Sequence, residues 1–483
     1  EKMLYDNGQL LSAYAMAEAV GPAPDDPTLA GRVMRETAAY LKREMTDPSG
    51  AFWSAQDAEV DAREGGNYLW TEAQVRKAIG DEELADLAAT MYGLDQGPNF
   101  QDPHDPSAEP ANVIYLPNSL PELAEARELS LEELADRRQA INKQLLAVRD
   151  ERKQPSTDDK VLAAWNGLAI AGLARAGEAL DEPAYIQMAA TAADAVLAKM
   201  FADDGTLYRV MRQGETSIPG FLDDYAFMAH GVMQLHAVDP DNDRRAHWLA
   251  AGCRLVEAAI ERFDAGDEHG GGYYDTRAGQ ADLFVRVRSG RDGAVASGNA
   301  IMMHALLDLY EATGEDKWID RAERDLRSFA APLANQPTGM VYTALAVWRL
   351  AQMDPGRVTG GEGAADDGPV TAGFEFDAET GEGAVTLEIA EGYHLNAAEV
   401  DDADLIPTRL SVSEGWGLEA DYPAGETASY PFADQPLSVY EGTVHIPVTL
   451  TPTDDDVATP RVFVRYQACT ESACREPVTV EAT

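Results

Sequence analysis

The sequence predicts a multidomain chain in which an all-α toroid of helical hairpins precedes an all-β sandwich. Residues 1–353 repeat paired segments with apolar residues at helical spacing, and a Gly/aromatic segment recurs about every 60–75 residues, as in a toroid of hairpins. Residues 354–369 are acidic and glycine-rich without apolar periodicity, which predicts a flexible linker. Residues 370–483 change to short alternating segments separated by Pro, Gly and Asp, a pattern typical of a β-sandwich.

The helices are predicted as consecutive pairs. The first helix of each pair is more apolar all round, as an inner helix should be, and the second is amphipathic and charged. Between residues 80 and 155 the pattern is less regular, with short helices near Glu82–Met91 and Leu131–Arg152. The predicted pairs are Lys2–Val20 with Leu29–Met45, Lys160–Leu180 with Pro183–Phe201, Leu222–Ala237 with Arg244–Phe263, and Ser297–Thr313 with Asp316–Ala331, followed by a final helix at Met340–Met353.

In the C-terminal part, alternation of apolar and polar residues predicts short strands bounded by turn residues. A sandwich buries the apolar face of each such strand against the opposite sheet. The predicted strands are Ala384–Ile389, Thr408–Val412, Val444–Leu450, Arg461–Gln467 and Val478–Glu481.

The charge of the chain is strongly negative, with 84 acidic against 38 basic residues and a formal net charge of −46. The acids are spread over the whole length, which is typical of the solvated surface of a halophilic protein, because high salt screens their mutual repulsion. No Lys/Arg cluster exists to neutralise phosphates, so we expect neither nucleic acid nor an anionic membrane as a partner. No run approaches the roughly 20 apolar residues of a membrane span.

Cofactor motifs are missing from the sequence. It has no phosphate loop, dinucleotide fingerprint, Gly-x-Ser-x-Gly motif or zinc-ligand spacing. We therefore expect no cofactor and no bound metal.

Polar and aromatic residues cluster where the predicted inner helices begin. In a toroid these ends point at a common funnel, so side chains from distant positions should converge there. Carboxylates and amides can hold hydroxyl groups, and aromatic faces can cover the C–H surface of a sugar ring, so we expect a small sugar-like ligand. The candidate ligand-binding residues are Glu1, Tyr5, Lys160, Trp165, Asn166, Tyr225, Arg288, Ser297 and Asn299, joined by the carboxylates Asp6 and Asp224.

Catalysis in such a pocket could take two forms. Glycoside hydrolysis needs two carboxyl groups, and Asp6 and Asp224 are the best candidate pair. Asp224 can equally serve as a first-turn or capping residue of its helix, together with Asp223. An epimerase needs two bases that flank a carbon atom, for which His230 and His304 on inner helices are candidates. Each histidine can equally be a hydrogen-bonded core residue.

Four segments carry a resemblance to a known family, namely Glu1-Lys-Met-Leu-Tyr-Asp-Asn7, Asp158-Asp-Lys-Val-Leu-Ala-Ala-Trp-Asn-Gly167, Asp223-Asp-Tyr-Ala-Phe227 and Ser297-Gly-Asn299. Over residues 1–353 the chain resembles the helical part of the thioredoxin-domain-containing family that includes the spermatogenesis-associated protein. The resemblance implies an (α/α)6 barrel like those of six-hairpin glycosidases and sugar epimerases. It also implies a thioredoxin-like domain upstream in the parent protein, so that the N-terminus is truncated, and a cytoplasmic location.

Cys469 and Cys474 form the sharpest local feature. They lie between two predicted strands, and so short a loop could bring the sulfurs within disulfide reach. Tyr466-Gln-Ala-Cys469 and the following Cys474-x-x-Pro477-Val-Thr-Val-Glu481 resemble the end of the immunoglobulin-like N-terminal domain of DsbD thiol:disulfide interchange proteins, over roughly residues 370–483. The resemblance implies a redox pair that exchanges electrons with a thioredoxin-like domain or protein, and a periplasmic location for this part. A structural staple, two reduced thiols or a zinc site are the alternatives.

Two functions therefore stay open. In the first, the chain takes part in thiol–disulfide exchange through Cys469 and Cys474, and its barrel binds a sugar-like ligand. In the second, the barrel is a carbohydrate-active enzyme, an N-acylglucosamine 2-epimerase-like or glycoside hydrolase-like protein that uses pocket carboxylates. We rank the first ahead, because the sequence shows a concrete reactive pair and only a generic pocket.

Overall fold

The computed structural model separates into two compact units, Glu1–Thr359 and Gly360–Thr483. The structure describes residues 1–483 except 22, 24–25, 104, 268–269, 281–283, 355–356, 358–368, 379, 400–404, 414, 431–435, 454–458, 471–473, 475–476 and 483. Most of the linker predicted at 354–369 therefore lies outside the described residues.

The N-terminal unit is mainly helical. Its helices are α1 (Leu4–Val20), α2 (Leu29–Glu44), α3 (Glu72–Ile79), α4 (Glu82–Met91), α5 (Leu120–Ala126), α6 (Leu131–Asp150), α7 (Ala163–Ala179), α8 (Pro183–Met200), α9 (Leu222–Val238), α10 (Asn242–Phe263), α11 (Gly298–Thr313), α12 (Asp316–Arg327), α13 (Ala330–Asn335) and α14 (Val341–Met353). Its short strands are β1 (Lys2–Met3), β2 (Ala55–Gln56), β3 (Glu59–Val60), β4 (Arg63–Glu64), β5 (Thr157–Asp158), β6 (Lys160–Leu162), β7 (Tyr208–Arg212) and β8 (Glu215–Pro219). They pair as β1–β2–β5, β3–β4 and β6–β7–β8.

The helices form an inner row with an outer layer. Helices α1, α7, α9, α11 and α14 pack side by side in that order, whereas α2, α8, α10 and α12 each pack on the inner helix that precedes them in the chain. The inner helices α7, α9 and α11 are buried along most of their length, because neighbours cover them on several sides. One continuous apolar core joins the inner and outer helices. This arrangement explains why apolar and amphipathic helices alternate along the sequence.

Helices α3 to α6 build a smaller core of their own, centred on residues such as Val75, Leu87 and Leu134. Helices α5 and α6 begin with capping boxes, in which Ser119 and Ser130 each exchange hydrogen bonds with a glutamate three residues later. Capping boxes therefore mark where α5 and α6 begin. The hydrophobic repeat found in the rest of the unit is interrupted in this stretch.

The C-terminal unit consists of β-sheets. Its strands are β9 (Val370–Phe376), β10 (Glu382–Ile389), β11 (His394–Asn396), β12 (Arg409–Val412), β13 (Trp416–Ala420), β14 (Glu426–Ala428), β15 (Leu437–Tyr440), β16 (Thr443–Pro452), β17 (Val462–Tyr466), β18 (Ala468–Cys469) and β19 (Val478–Ala482). They form the antiparallel sheets β13–β16–β10–β9, β14–β15–β11–β18 and β12–β17–β19. In β16 buried and exposed residues alternate strictly from Thr443 to Leu450, as a strand with one face on a core requires. The coarse prediction of a helical part followed by β-sheets is confirmed.

The inner helices approach one another closely at glycines. A Cβ atom on Gly167 of α7 would lie 2.4 Å from the carbonyl carbon of Phe227 on α9, and one on Gly172 would lie 2.4 Å from the carbonyl oxygen of Gly8 on α1. Backbone lies directly against backbone at both contacts. No larger residue fits there unless the helices separate.

We expect Gly167→Ala to destabilise the helical unit by about 1–3 kcal/mol, because its methyl group forces α7 and α9 apart. Gly31→Ala in α2 is the matched control, since the nearest atoms there belong to the side chains of Arg35 and Leu180, at 3.0 and 3.4 Å. The control should be neutral or gain up to about 1 kcal/mol from helix propensity. Urea unfolding of both variants measures the difference, and equal losses in the two would contradict the close-packing explanation.

Candidate functional site

Two of the predicted pocket residues bind loop backbone at the start of an inner helix. Asn166 on α7 accepts a hydrogen bond from the N–H of Phe52 at 2.8 Å and donates to its carbonyl oxygen at 3.0 Å. Asn299 on α11 makes the same pair of bonds with Tyr273, at 2.7 and 2.9 Å. Both carboxamides are buried. Each of them therefore fixes a loop to an inner helix.

Tyr225 on α9 has a related role. Its hydroxyl group accepts from the N–H of Leu207 at 2.8 Å and donates to the carbonyl oxygen of Gly205 at 3.1 Å. Tyr5 packs edge-to-face on Trp165 with ring centroids 4.8 Å apart, so the structure does bring these two predicted residues together.

Asp224 is buried at the start of α9, with both carboxylate oxygens occupied. One oxygen accepts from the N–H of Ala164 in the first turn of α7 at 3.2 Å. The other accepts from the N–H of Phe221 at 2.9 Å and from the guanidinium group of Arg209 at 3.1 Å. Burial, together with the neighbouring Asp224, raises the pKa of Asp223 to about 6. Asp224 thus caps α9, its own helix, and also binds the first turn of the neighbouring helix α7.

The other predicted residues are exposed or bind other parts of the helical unit. Glu1 and Asp6 are exposed, Lys160 pairs with Asp158 at 3.0 Å, Arg288 donates to the carbonyl oxygen of Gly271 at 2.5 Å, and Ser297 caps α11 through the N–H of Ala300 at 3.2 Å. None of the nine candidate ligand-binding residues, and neither Asp6 nor Asp224, lines the main cavity of the helical unit, whereas the candidate bases His230 and His304 do line it. Their catalytic and ligand-binding roles stay predictions.

That cavity lies between α1, α7, α9, α11 and α14 and has a volume of about 840 Å³. Its size is within the range of small-molecule sites in proteins. Exposed Met16, Val341 and Trp348 are among its apolar lining residues. The polar side chains that line it include Arg175, His230, Gln234, His304, Asp308 and Arg349.

Asp308 on α11 is the centre of a hydrogen-bonded network in this cavity. One carboxylate oxygen contacts Nδ1 of His230 at 2.7 Å, and the other accepts from Nη2 of Arg349 at 2.7 Å. Nη1 of Arg349 reaches Nδ1 of His304 at 3.0 Å. On the other side, Nη2 of Arg175 reaches Nε2 of His230 at 3.1 Å. These contacts join the inner helices α7, α9, α11 and α14.

The arginines determine the tautomers of the two histidines. A guanidinium group only donates, so Nε2 of His230 must accept from Arg175, and its Nδ1–H donates to Asp308. By the same argument Nδ1 of His304 accepts from Arg349, and its Nε2–H donates to the carbonyl oxygen of Tyr342 at 3.0 Å. The ring centroids lie 6.2 Å apart. The structure therefore places two neutral imidazoles side by side in one cavity.

Burial and charge explain the protonation of this network. Burial, reinforced by Arg349, lowers the pKa of His304 to about 3. Burial also lowers the pKa of His230, although Asp308 opposes the effect. For Asp308, burial acts to raise the pKa, but the contacts with His230 and Arg349 outweigh it and hold the pKa well below its usual range. At neutral pH the network thus contains an ionised carboxylate between uncharged histidines and charged arginines.

The sequence reasoning considered His230 and His304 but missed Arg175, Asp308 and Arg349. A signal for the missed residues exists. Arg175 interrupts Leu-Ala-Arg-Ala-Gly and Asp308 interrupts Leu-Leu-Asp-Leu, both on helices that are otherwise apolar. A charged residue in such a helix needs a buried partner or a cavity.

Cys469 and Cys474 are joined by a disulfide, with Cα atoms 3.9 Å apart. Cys469 on β18 is fully buried, whereas Cys474 is partly exposed. His394 on β11 lies directly opposite Cys469 in the antiparallel pair, and its ring stacks on Tyr430 with centroids 3.9 Å apart. Cys474 is therefore the more exposed of the two bonded cysteines.

Among the described residues, no group of three or more His, Cys, Asp and Glu side chains is placed to hold a metal ion. No helix in the described part of the chain has the length and apolar character needed to span a membrane.

Fold and sites together define a two-unit protein, with a polar cavity in its helical unit and a disulfide in its β unit. Residues 368–483 match the family described as thiol:disulfide interchange protein DsbD, N-terminal. The chain is 31% identical over 367 residues to spermatogenesis-associated protein 20 of Homo sapiens, a match that covers 70% of this chain and 45% of that protein. The chain thus spans about half the length of the curated relatives it matches. Both resemblances predicted from the sequence are confirmed.

Two solved structures are also similar. The reduced N-terminal domain of Neisseria meningitidis DsbD aligns with 23% of this chain and 82% of its own, at 18% identity and a TM-score of 0.18. An α-mannanase of Bacteroides thetaiotaomicron aligns with 58% of this chain and 79% of its own, at 16% identity and a TM-score of 0.34.

We expect His304 to make the stability of the helical unit fall in mild acid. Between the unfolded pKa of about 6.5 and the folded pKa of about 3, the unfolded chain binds a proton that the folded chain does not. The free energy of unfolding should therefore fall as the pH decreases, by about 2 kcal/mol from this group between pH 7 and 5. Urea unfolding of the wild type and His304→Gln at both pH values isolates the contribution, and parallel losses in the two would refute it.

Proposed function

We propose that the β unit exchanges its Cys469–Cys474 disulfide with the dithiol of a thioredoxin-like partner. The disulfide itself, in a segment that matches the DsbD N-terminal family, is the observation that carries the proposal. A partner thiolate attacks Sγ of the more exposed Cys474, and the Cys469 thiolate leaves. The second partner thiol then resolves the mixed disulfide, so that two electrons reduce this bond and a disulfide forms in the partner.

The burial pattern supports this direction of attack. Cys469 is held in β18 against β11, and its sulfur is shielded from solvent, so it suits the role of leaving group. His394 lies on the same face of the sheet as Cys469, because directly opposed residues of an antiparallel pair share a face. Burial lowers the pKa of His394, so its ring adds no positive charge beside the sulfurs at neutral pH.

We also propose that the helical unit follows the (α/α)6 plan and the β unit an immunoglobulin-like plan. The alternation of inner and outer helices supports the first, and three antiparallel sheets around one apolar core support the second. On this plan the cavity between the inner helices is the site of a small polyol such as a sugar. Asp308 and the five polar side chains around it supply the hydrogen bonds that hydroxyl groups need.

A second candidate function is carbohydrate chemistry in the cavity. The close placement of His230 and His304 favours it, because two imidazoles that share one cavity can act as base and acid on a bound sugar once the ligand displaces Arg175 from Nε2 of His230 and Arg349 from Nδ1 of His304. Asp224, whose oxygens are occupied by Ala164, Phe221 and Arg209, is less accessible for this purpose.

The exchange proposal predicts that a reduced bacterial thioredoxin reduces the disulfide in the full chain. Alkylation and mass spectrometry should then find two new thiols, at Cys469 and Cys474. A thioredoxin that lacks its resolving cysteine should attack the wild-type bond and stay attached to Cys474 as a mixed disulfide, with Cys469 released as a thiol that alkylation then blocks. Cys253→Ser is the control that should react like the wild type. The proposal fails if dithiothreitol opens the bond but thioredoxin does not.

The catalytic alternative predicts solvent deuterium at C2 of a sugar incubated with the protein in D2O, as proton abstraction requires. His304→Gln and His230→Gln should lower the incorporation at least tenfold, whereas a carboxylate mechanism would instead lose turnover in Asp6→Asn and Asp224→Asn. Proton NMR measures the exchange. An absence of both exchange and hydrolysis across a panel of monosaccharides and disaccharides would remove this alternative.

A further inference from the structure

The charge of the cavity is opposite to that of the chain. The protein carries a net charge of −46, yet the charged residues that line the cavity are three arginines, Arg175, Arg245 and Arg349, against Asp308 and Glu311. With His230 and His304 neutral, the three arginines leave the lining with an excess of positive charge over the two carboxylates. A concave site with such an excess attracts anions, and the low dielectric around it strengthens the effect.

The arginines differ in their partners. Arg349 is neutralised by two carboxylates, Asp308 at 2.7 Å and Glu311 at 2.9 Å. Arg175 contacts only neutral acceptors, with Nε on the carboxamide oxygen of Gln234 at 3.0 Å and Nη2 on Nε2 of His230 at 3.1 Å. Among the described residues, no carboxylate oxygen lies within the 4.0 Å of an ion pair with Arg175.

Arg175 therefore lies at the cavity wall without a carboxylate in direct contact, and the charge of Asp308 acts on it from the far side of His230. Arg175 lines both the large cavity and a smaller adjoining pocket. Gln9, Ser12 and Tyr342 also line both of them. Burying a guanidinium group without a direct ion pair is costly, and burial lowers the pKa of Arg175, although Asp308 opposes the effect. In a chain with more than two acids for every base, an acidic neighbour would be the expected partner for this arginine, yet its hydrogen-bond acceptors, Gln234 and His230, are neutral.

We propose that the cavity binds a small polyhydroxy carboxylate, of the sugar-acid class, and that Arg175 holds its carboxylate group. The proposal rests on the polyol site proposed above and specifies its ligand. The planar fork of a guanidinium group matches a carboxylate in two parallel hydrogen bonds. Gln9, Ser12 and Gln234 lie around the same cavity and suit the hydroxyl groups of such a ligand.

Calorimetric titration of the full chain at fixed ionic strength tests the proposal with matched probes. D-glucuronate and D-gluconate are compared with the neutral D-glucose and D-glucitol. We expect both acids to bind at least tenfold more tightly than the neutral polyols. Arg175→Gln should remove this preference, and Arg175→Lys should retain part of it, because it keeps the charge without the fork. Arg254→Gln is the matched control, since Arg254 stacks on Phe201 and lies outside the cavity lining.

The outcomes of the titration distinguish the carboxylate site at Arg175 from the polyol site on which it rests. Equal affinities for acids and neutral polyols, or a preference that survives in a folded Arg175→Gln, would overturn the carboxylate site and leave the polyol cavity in place. No saturable binding of any of the four probes would overturn both. If Arg175→Gln does not fold by circular dichroism, Arg175→Lys decides, and an undiminished preference in that variant would overturn the role of Arg175.

Discussion

The helical unit depends on the close approach of α1, α7 and α9, where glycines allow backbone to lie against backbone. Gly172 meets Gly8, and Gly167 meets the Phe227 turn of α9. With the inner helices this close, a polar side chain that points inward must find its partner on a neighbouring inner helix. The contact between Arg175 on α7 and His230 on α9 follows from that constraint.

The polar residues of the inner helices serve two different purposes. At the helix starts, Asn166, Asn299 and Tyr225 each bind the backbone of a loop, and so fix the connecting segments to the inner helices. Around the cavity the polar groups bind one another, with Asp308 between His230 and Arg349. Groups that bind one another around an open space can exchange a partner for a ligand, whereas groups that fix a loop cannot do so without releasing it.

The two units carry different chemical groups. The disulfide in the β unit joins one buried and one partly exposed cysteine, and in the proposed exchange it needs only a partner dithiol. The cavity in the helical unit is lined by neutral histidines and by Arg175, which has no carboxylate in direct contact, and we propose a small ligand for it. Together the two proposals place a redox site and a small-molecule site in one chain.

The sequence by itself determined the succession of paired helices, the strands β10, β12, β16, β17 and β19 but not β9, β13 and β15, the apolar character of the inner helices and the proximity of Cys469 to Cys474. Periodicity and short spacing act locally, which is why these features could be predicted. The sequence predicted none of the short strands β11, β14 and β18, since strands of two or three residues depend on their pairing partners. Only the tertiary structure decided which polar residues bind loops and which surround a cavity. The partners of Asp308 come from positions 78 residues earlier and 41 residues later, and no local pattern encodes contacts across such distances.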